Sequence, residues 1–428
     1  MTDPACNGRQ AALFVAPIMP SDRGNGLAMR AGFLLDSYAR RFAVDLAVAP
    51  VAGGPGEFTP FVQARVRRAI VLSVATPDTH FTLVGRVADP KARLAAFRQY
   101  GRPSITAPIS LDLERELHEF TDDVSYAVVH VSRLYLAGLA APWIHRRRVR
   151  PYLVLDCDED DATAYRRFAR LHRMWGRSQL ADWAEVEAEA FEALAGRSLA
   201  QFDLLLAASA GEARALRVRA DDADVMSIPN VPPASGPGSA RPPARQGRRD
   251  ILFVGNMGYL PNVDAVTWFV RRVWPRLRSV VPFPLRFVIA GHGAPREVRE
   301  LARTPGIVLA GGFDDAAALY RRAALAVVPI RAGGGTRIKL LEGAKYGVPV
   351  VATRFGAEGS GFRSGQELLL ADNERDFAAA CARLLTDFTL ASRLAAKARC
   401  KLRRDYDAKR LAARLLRKVD ASIARGVR

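Results

Sequence analysis

The stretch Pro329-Ile330-Arg331-Ala332-Gly333-Gly334-Gly335-Thr336-Arg337-Ile338-Lys339-Leu340-Leu341-Glu342 constrains this chain more than any other. The apolar run Leu325 to Ile330 reads as a buried parallel strand, and a triple-glycine turn follows it. A helix then opens with Arg337, Lys339 and Glu342 within its first two turns. Glycines let the backbone approach a ligand closely, and the first N–H groups of a helix have no partner within it. The helix dipole favours an anion there, and two cationic side chains add charge-assisted hydrogen bonds. These are the parts of a diphosphate site. The competing reading is an ordinary strand–turn–helix with a basic surface turn.

The rest of the chain favours the first reading, because strands and helices alternate throughout, as in α/β layers with parallel sheets. Leu13–Ala16 is followed by the loop Ser21-Asp22-Arg23-Gly24-Asn25-Gly26, a helix from about Leu27 to Arg41 and a strand at Val44–Ala49, a βαβ unit. Further strands are expected at Ala69–Val74, Ala127–Val131, Tyr152–Leu155 and Leu204–Ala207, with an Ala- and Glu-rich helix at Asp182–Gly196. Val231 to Arg249 is rich in Pro, Gly, Ser and Arg, cannot bury apolar surface, and reads as a linker. A second set follows, with strands at Ile251–Val254, Leu285–Ala290, Ile307–Ala310, Leu325–Pro329 and Val348–Ala352. Its helices fall at Val263–Leu277, Arg296–Arg303, Ala316–Ala323 and Arg337–Tyr346, before a helical tail from about Glu374 to Ala424, broken near Tyr406. The expectation is two doubly wound Rossmann-like domains, 1–230 and 250–404, joined by a 231–249 linker and facing a central cleft. Residues 405–428 are expected to form a helix that packs back toward the N-terminal domain.

At 428 residues the chain can bury two full cores. It has no apolar run of about 18 residues, so no spanning helix is expected. Asp3 and the absence of a basic leader argue against a signal peptide, and Cys6, Cys157, Cys381 and Cys400 lack paired spacing for zinc or redox work. A reducing, cytoplasmic setting follows as the expectation. The net charge of +19 is spread along the sequence, with Arg far in excess of Lys. Its densest patch, Arg146-Arg147-Arg148 with Arg150 after Trp143 and Ile144, suits a peripheral contact with an anionic membrane at the inner face of the plasma membrane. A solvated helix end is the competing reading. No aromatic–basic repeat of a nucleic-acid module is present, so no nucleic-acid partner is expected.

Four segments of the second half carry a family resemblance: FVGNMGYLPNVDAVTWF (253–269), FVIAGHG (287–293), DDAAALYRRAALAVVPIRAGGGTRIKLLEGAKYGVPVVAT (314–353) and GAEG (356–359). In order and spacing they closely resemble glycosyltransferase family 4, the retaining, metal-independent enzymes of the GT-B fold. The form GGGTR-K places the likeness in a subgroup of bacterial glycan-assembly transferases. It covers roughly Ile251 to Tyr406. The first half matches more loosely, through Pro17 with Gly24-Asn25-Gly26, VVHVSR (128–133) and SIPNV (227–231).

The resemblance implies a C-terminal half that grips a nucleotide-sugar and an N-terminal half that presents a hydroxyl acceptor, such as a lipid-linked glycan. It implies no cofactor and no metal. Glu342 matches the second glutamate of the family's Glu-x7-Glu motif, which contacts the donor ribose; a carboxylate can accept from two vicinal hydroxyls. An i,i+3 salt bridge with Lys339 or Lys345 is the bland alternative. Arg337 and Lys339 are assigned to the diphosphate, where they would stabilise the charge on the leaving group. Gly333, Gly334, Gly335, Thr336, Gly255 and Asn256 line the implied donor site, and the Ile307–Phe313 segment with Gly311 and Phe313 is where the fold cradles the base. Gly24, Asn25 and Gly26 bring backbone N–H groups toward the phosphates or acceptor, with a plain turn as competitor.

The chain departs from the pattern in three places. Gly334 stands where the first glutamate would fall, and Asn256 and Asn262 stand near the family's usual Arg and Lys. Of the histidines at the end of an N-domain strand, the first is His130 and the second position holds Ser132, followed by Arg133. His130 is readable as a catalytic group or a satisfied core histidine, whereas Ser132 and Arg133 are expected to face the cleft. Asp156-Cys157-Asp158-Glu159-Asp160-Asp161 could hold a divalent cation, but reads better as a loop after strand Tyr152–Leu155. Two alternatives to the transferase stay open: a sugar-nucleotide epimerase on the same fold, and a non-catalytic nucleotide-sugar-binding partner subunit.

Overall fold

The computed structural model describes residues 8–54, 56–74, 79–144, 150–220, 223–232, 247, 249–313, 316–334 and 338–425. The chain divides into two compact units, Met1–Asn230 with Ala408–Arg428, and Val231–Asp407. The first unit is built on β1 (Ala11–Ala16), β2 (Ala43–Val48), β3 (Arg68–Val71), β4 (Tyr126–Ser132), β5 (Tyr152–Asp158), β6 (Leu204–Ala207) and β7 (Asp224–Ser227). These strands are parallel, in the order β3-β2-β1-β4-β5-β6-β7. The second unit is built on β8 (Asp250–Val254), β9 (Arg286–Ala290), β10 (Ile307–Gly311), β11 (Ala323–Val328), β12 (Val350–Ala352) and β13 (Leu369–Leu370), parallel in the order β10-β9-β8-β11-β12-β13.

In each sheet the strand order reverses beside its first strand, between β1 and β4 and between β8 and β11. Loops at the carboxyl ends of the two strands diverge there and open a crevice, the usual ligand position in such sheets. The central strands are apolar runs because helices cover both faces. Leu13, Val15, Leu153, Leu155 and Leu205 are fully buried in one sheet, and Ile251, Phe253, Leu325 and Val328 in the other.

The structure adds elements that the sequence did not disclose. Helices Thr79–Arg86, Pro90–Tyr100 and Leu111–Thr121 lie between β3 and β4, and Asp161–Met174 pairs, between β5 and β6, with Ser178–Ser198, where the helix Asp182–Gly196 was expected. A satellite core of Val84, Phe97, Tyr100 and Val186 holds part of this layer, with Trp183 stacked on Phe97 at 4.1 Å. The tail breaks at Tyr406, whose hydroxyl donates to the Ser360 carbonyl at 2.7 Å, and also at Asp387, which caps helix Phe388–Asp405 through the Leu390 N–H at 2.8 Å.

The structure describes only part of the patch expected around Trp143 and Arg150. Trp143 is buried in the core of the first unit, and Arg150 is paired with Asp203 at 2.7 Å. Arg146–Arg148, the body of that patch, lie outside the described residues. Among the described residues no helix is long and apolar enough to cross a membrane.

Candidate functional site

At the second unit's crevice, the end of β8 and the start of helix Ile338–Lys345 meet across Gly255. A Cβ on Gly255 would lie 2.9 Å from Lys339 Cε and 2.8 Å from Asn262 Nδ2, so glycine is what admits both side chains. The Lys339 ammonium sits 5.4 Å from the Phe253 ring centroid. Asn262 is 3% exposed and donates to the Asn256 carbonyl at 2.7 Å, while its own Oδ1 has no partner among the described residues. The Asn256 side chain accepts from the Gly258 N–H at 2.8 Å. Asn262 thus stitches the turn after β8 where the family's pattern has a cation.

Gly291, with φ 149°, presses against this turn: its Cβ would fall 1.8 Å from the Gly255 carbonyl oxygen. Gly311 has φ 68°, is exposed, and accepts from the Gly291 N–H at 2.7 Å through its carbonyl; Phe313 is half-buried. These contacts bring the ends of β8, β9 and β10 together.

Gly333, with φ 113°, is buried, and Gly334 is half-buried. Gly335, Thr336 and Arg337 lie outside the described residues. Glu342 is 7% exposed and accepts from the Tyr320 hydroxyl at 3.0 Å. Burial pushes its carboxyl up from the ordinary value, against that hydrogen bond and the ammoniums of Lys339 and Lys345. Tyr320 stacks on Tyr346 at 4.9 Å and fixes the carboxylate. Arg331 is fully committed elsewhere: it grips the buried Asp264 with two hydrogen bonds of 2.9 and 2.6 Å, tying the end of β11 to helix Leu260–Trp268.

In the first unit, His130 takes the core-histidine arrangement. Its ring is 1% exposed, stacks on Phe14 at 4.5 Å, and meets the Tyr38 hydroxyl at 3.3 Å and Ser132 Oγ at 3.2 Å. Burial, with Arg30 nearby, lowers its pKa to about 3 and keeps it neutral.

Ser132 and Arg133, expected to face the cleft, are buried. The Arg133 guanidinium donates to Asp158 at 3.1 Å, Glu159 at 3.3 Å and Asp161 at 2.5 Å. Strand β5 runs through Asp158 and a helix starts at Asp161, so only Glu159 and Asp160 of the acidic run form the loop expected after the strand. Asp156 takes a two-point grip from Arg30 at 2.7 and 2.6 Å, and Asp160 caps helix Asp161–Met174. Arginine pairing consumes most of this acidic run. Among the described residues no group of three or more His, Cys, Asp or Glu could hold a metal ion. Arg133 at φ 76° and Asp158 at φ 58° are the non-glycine residues with positive φ among those described, and both sit in this cluster. The Gly24–Gly26 loop is exposed, and the Asn25 side chain caps helix Gly26–Ala39 through the Ala28 N–H at 2.9 Å.

Residues 248–387 match the family model described as glycosyl transferases group 1. The family likeness lies in the second unit. It spans the Gly255 turn, the glycine-rich turn after β11 and Glu342. A curated relative from Klebsiella pneumoniae, described as an uncharacterized 44.6 kDa protein in the cps region, is 24% identical over 170 residues. That match covers 38% of this chain and 44% of the relative, so the chain spans less than half of the protein it resembles.

Solved structures match over almost the full length. Sucrose-phosphate synthase from Thermosynechococcus elongatus superposes with a TM-score of 0.65 at 15% identity, over 97% of this chain and 100% of that one. HepE from Anabaena, in complex with UDP and glucose, gives 0.60 at 14%, over 96% and 100%. TarM gives 0.66 at 10%, over 98% and 100%. At such identities the likeness establishes the fold, a GT-B-type pair of parallel-sheet Rossmann-like units.

Sequence reasoning missed several partners of the group 1 segment. Tyr320 and Asp264 lie within the segments that carry the resemblance, but their contacts with Glu342 and Arg331 appear only in the fold. Arg30 meets Asp156 and Asn230, 126 and 200 residues away, and no local pattern announces that pairing.

Proposed function

We propose that this chain is a glycosyltransferase of family 4 type. It would move a hexosyl-type sugar from a nucleoside-diphosphate sugar to a hydroxyl acceptor with retention of anomeric configuration, without a metal or other cofactor. The observation that carries this reading is the convergence of Lys339, Asn262 and the Gly255 turn at the crevice of the unit that matches group 1 glycosyl transferases. Lys339, with Arg337 from the same turn, would hold the diphosphate and stabilise the charge that grows on it as the glycosidic bond breaks. Gly333, Gly334, Gly335 and Thr336 would offer backbone N–H groups to the same phosphates. The Glu342 carboxylate, steadied by Tyr320, would accept from the ribose hydroxyls. Gly311 and Phe313 would flank the base.

The bacterial envelope is the setting we favour, with polysaccharide or glycolipid assembly as the role and a lipid-linked glycan among the candidate acceptors. The likeness to a Klebsiella protein of the cps region supports it. Work at the inner face of the plasma membrane would then follow from the acceptor rather than from an arginine patch. The test is a thermal-shift titration with UDP, GDP and ADP, with and without Mg²⁺. A ligand that binds only the folded state raises the melting temperature. A shift with one nucleotide, independent of Mg²⁺ and lost in Glu342→Ala, is the expected outcome. No shift with any nucleotide overturns the donor assignment.

The glycine at 334 favours one second reading, a non-catalytic nucleotide-sugar-binding subunit. Slow release of free sugar from the bound donor without acceptor would count against it.

A further inference from the structure

We propose that the amino edge of the second unit's sheet carries a separate anion-binding pocket for a phosphate-bearing ligand. A cavity of about 500 Å³ opens there, lined by Arg249, Asp250, Pro284, Arg286, Arg321 and Arg322. Asp250 and Arg286 are the first residues of β8 and β9. Arg321 and Arg322 end helix Ala316–Arg322, directly before β11. The Gly255 turn follows the opposite end of β8, roughly 15 Å of strand away. The two sites therefore do not share residues.

The charge in this cavity is unbalanced. Four guanidiniums line it against one carboxylate, and Arg286 already occupies both oxygens of that carboxylate at 2.7 and 2.9 Å. Arg249 lies over the Phe283 ring at 5.4 Å, a contact that orients its plane without neutralising it. Arg321 and Arg322 are exposed, and their side chains make no hydrogen bond or ion pair to any described residue. Several other arginines of this chain have acidic partners, such as Arg30, Arg133 and Arg331. A helix C-terminus favours cations, which accounts for Arg321 and Arg322, and Asp250 accounts for Arg286, but neither accounts for Arg249. A concave wall focuses the field of like charges, and the guanidinium fork matches phosphate oxygens two at a time. The ligand is therefore expected to carry a phosphate group, whether as a free polyphosphate or as a lipid headgroup.

The experiment compares the full chain with Arg321→Ala/Arg322→Ala and with Lys339→Ala. Each is titrated calorimetrically with inorganic pyrophosphate and sedimented with phosphatidylglycerol or phosphatidylcholine vesicles. Both arginines are exposed, so an unchanged melting temperature for the double variant is expected and checks its folding. A pyrophosphate site that survives Lys339→Ala and weakens about tenfold or more in the arginine variant supports the pocket and a free ligand. Sedimentation with phosphatidylglycerol alone, lost in the arginine variant, supports the pocket and a lipid headgroup. An arginine variant that matches the unmodified chain in both assays overturns the proposal, whatever Lys339→Ala does to the donor site.

Discussion

A histidine stacked face to face on Phe14 and closed off from water is held as the neutral base, and that sets a pH dependence for the whole first unit. In the unfolded chain His130 titrates near 6.5; folded, its pKa is lowered to about 3. The folded state therefore binds fewer protons between those values, and stability rises with pH across that window. The contribution is fully present above 6.5, falls as the pH drops from 6.5 toward 3, and amounts to at most about 5 kcal/mol. Urea unfolding between pH 7.5 and 4.5 should show this loss for the first unit, and His130→Gln should flatten it. A variant with an unchanged slope would remove His130 as the cause. The neighbouring Arg30–Asp156 pair makes the complementary case, because Arg30 is 2% exposed and cannot find water if its partner is neutralised. Asp156→Asn is expected to destabilise the first unit by about 3–5 kcal/mol, read as a fall in its urea midpoint. Residue types at both places were legible in the sequence, but their burial was not. A strand of apolar letters around His130 fits either a buried ring or one at the strand's mouth, and Arg30 finds its carboxylate 126 residues away.

Elements were easier to read where two signals coincide. β8 and β11 combine an apolar run with a glycine-rich stop, and the structure has both strands within a residue or two of expectation. The acidic run was only partly legible, because charge density suggests a loop, whereas its carboxylates are neutralised one by one from other elements: Asp156 by Arg30 in the first helix, Asp158 and Asp161 by Arg133 after β4. No local pattern encodes that. The turn after β8 offers the sharpest test at this scale, since its glycine is justified by what it admits. Gly255→Ala places a methyl group against Lys339 and the hydrogen-bonded Asn262 amide. The flexible lysine can move aside more cheaply than the buried asparagine, so the site should change more than the fold. The expected cost is about 1–2 kcal/mol of stability with a larger loss of nucleoside-diphosphate affinity, about tenfold or more. Chemical denaturation and calorimetric titration measure the two separately. A variant that binds as well as the parent chain would separate Lys339 from the donor site.

For the whole molecule, the two sheets were foreseeable from alternation alone, but the ownership of the last helix is a matter of packing. Helix Ala408–Ala424, expected to pack back toward the N-terminal domain, has an apolar stripe of Leu411, Leu415 and Val419 as the face to bury. In the structure it belongs to the first unit, packed along helix Gly26–Ala39, with Asp420 paired to Arg41 at 3.2 Å and Lys418 to Asp224. The chain thus leaves the first unit at Asn230, builds the second, and returns. A truncation after Asp407 removes cover from the first core while leaving the second unit's own residues intact. Each of the three stripe residues is worth about 1.5–3 kcal/mol when fully buried, so the first unit should lose several kcal/mol. Differential scanning calorimetry should then show one transition moving to lower temperature while the other stays, with nucleotide still raising the second. Transitions that fall together would mean the two units unfold as one, and that the terminal helix stabilises the molecule through more than the core it covers.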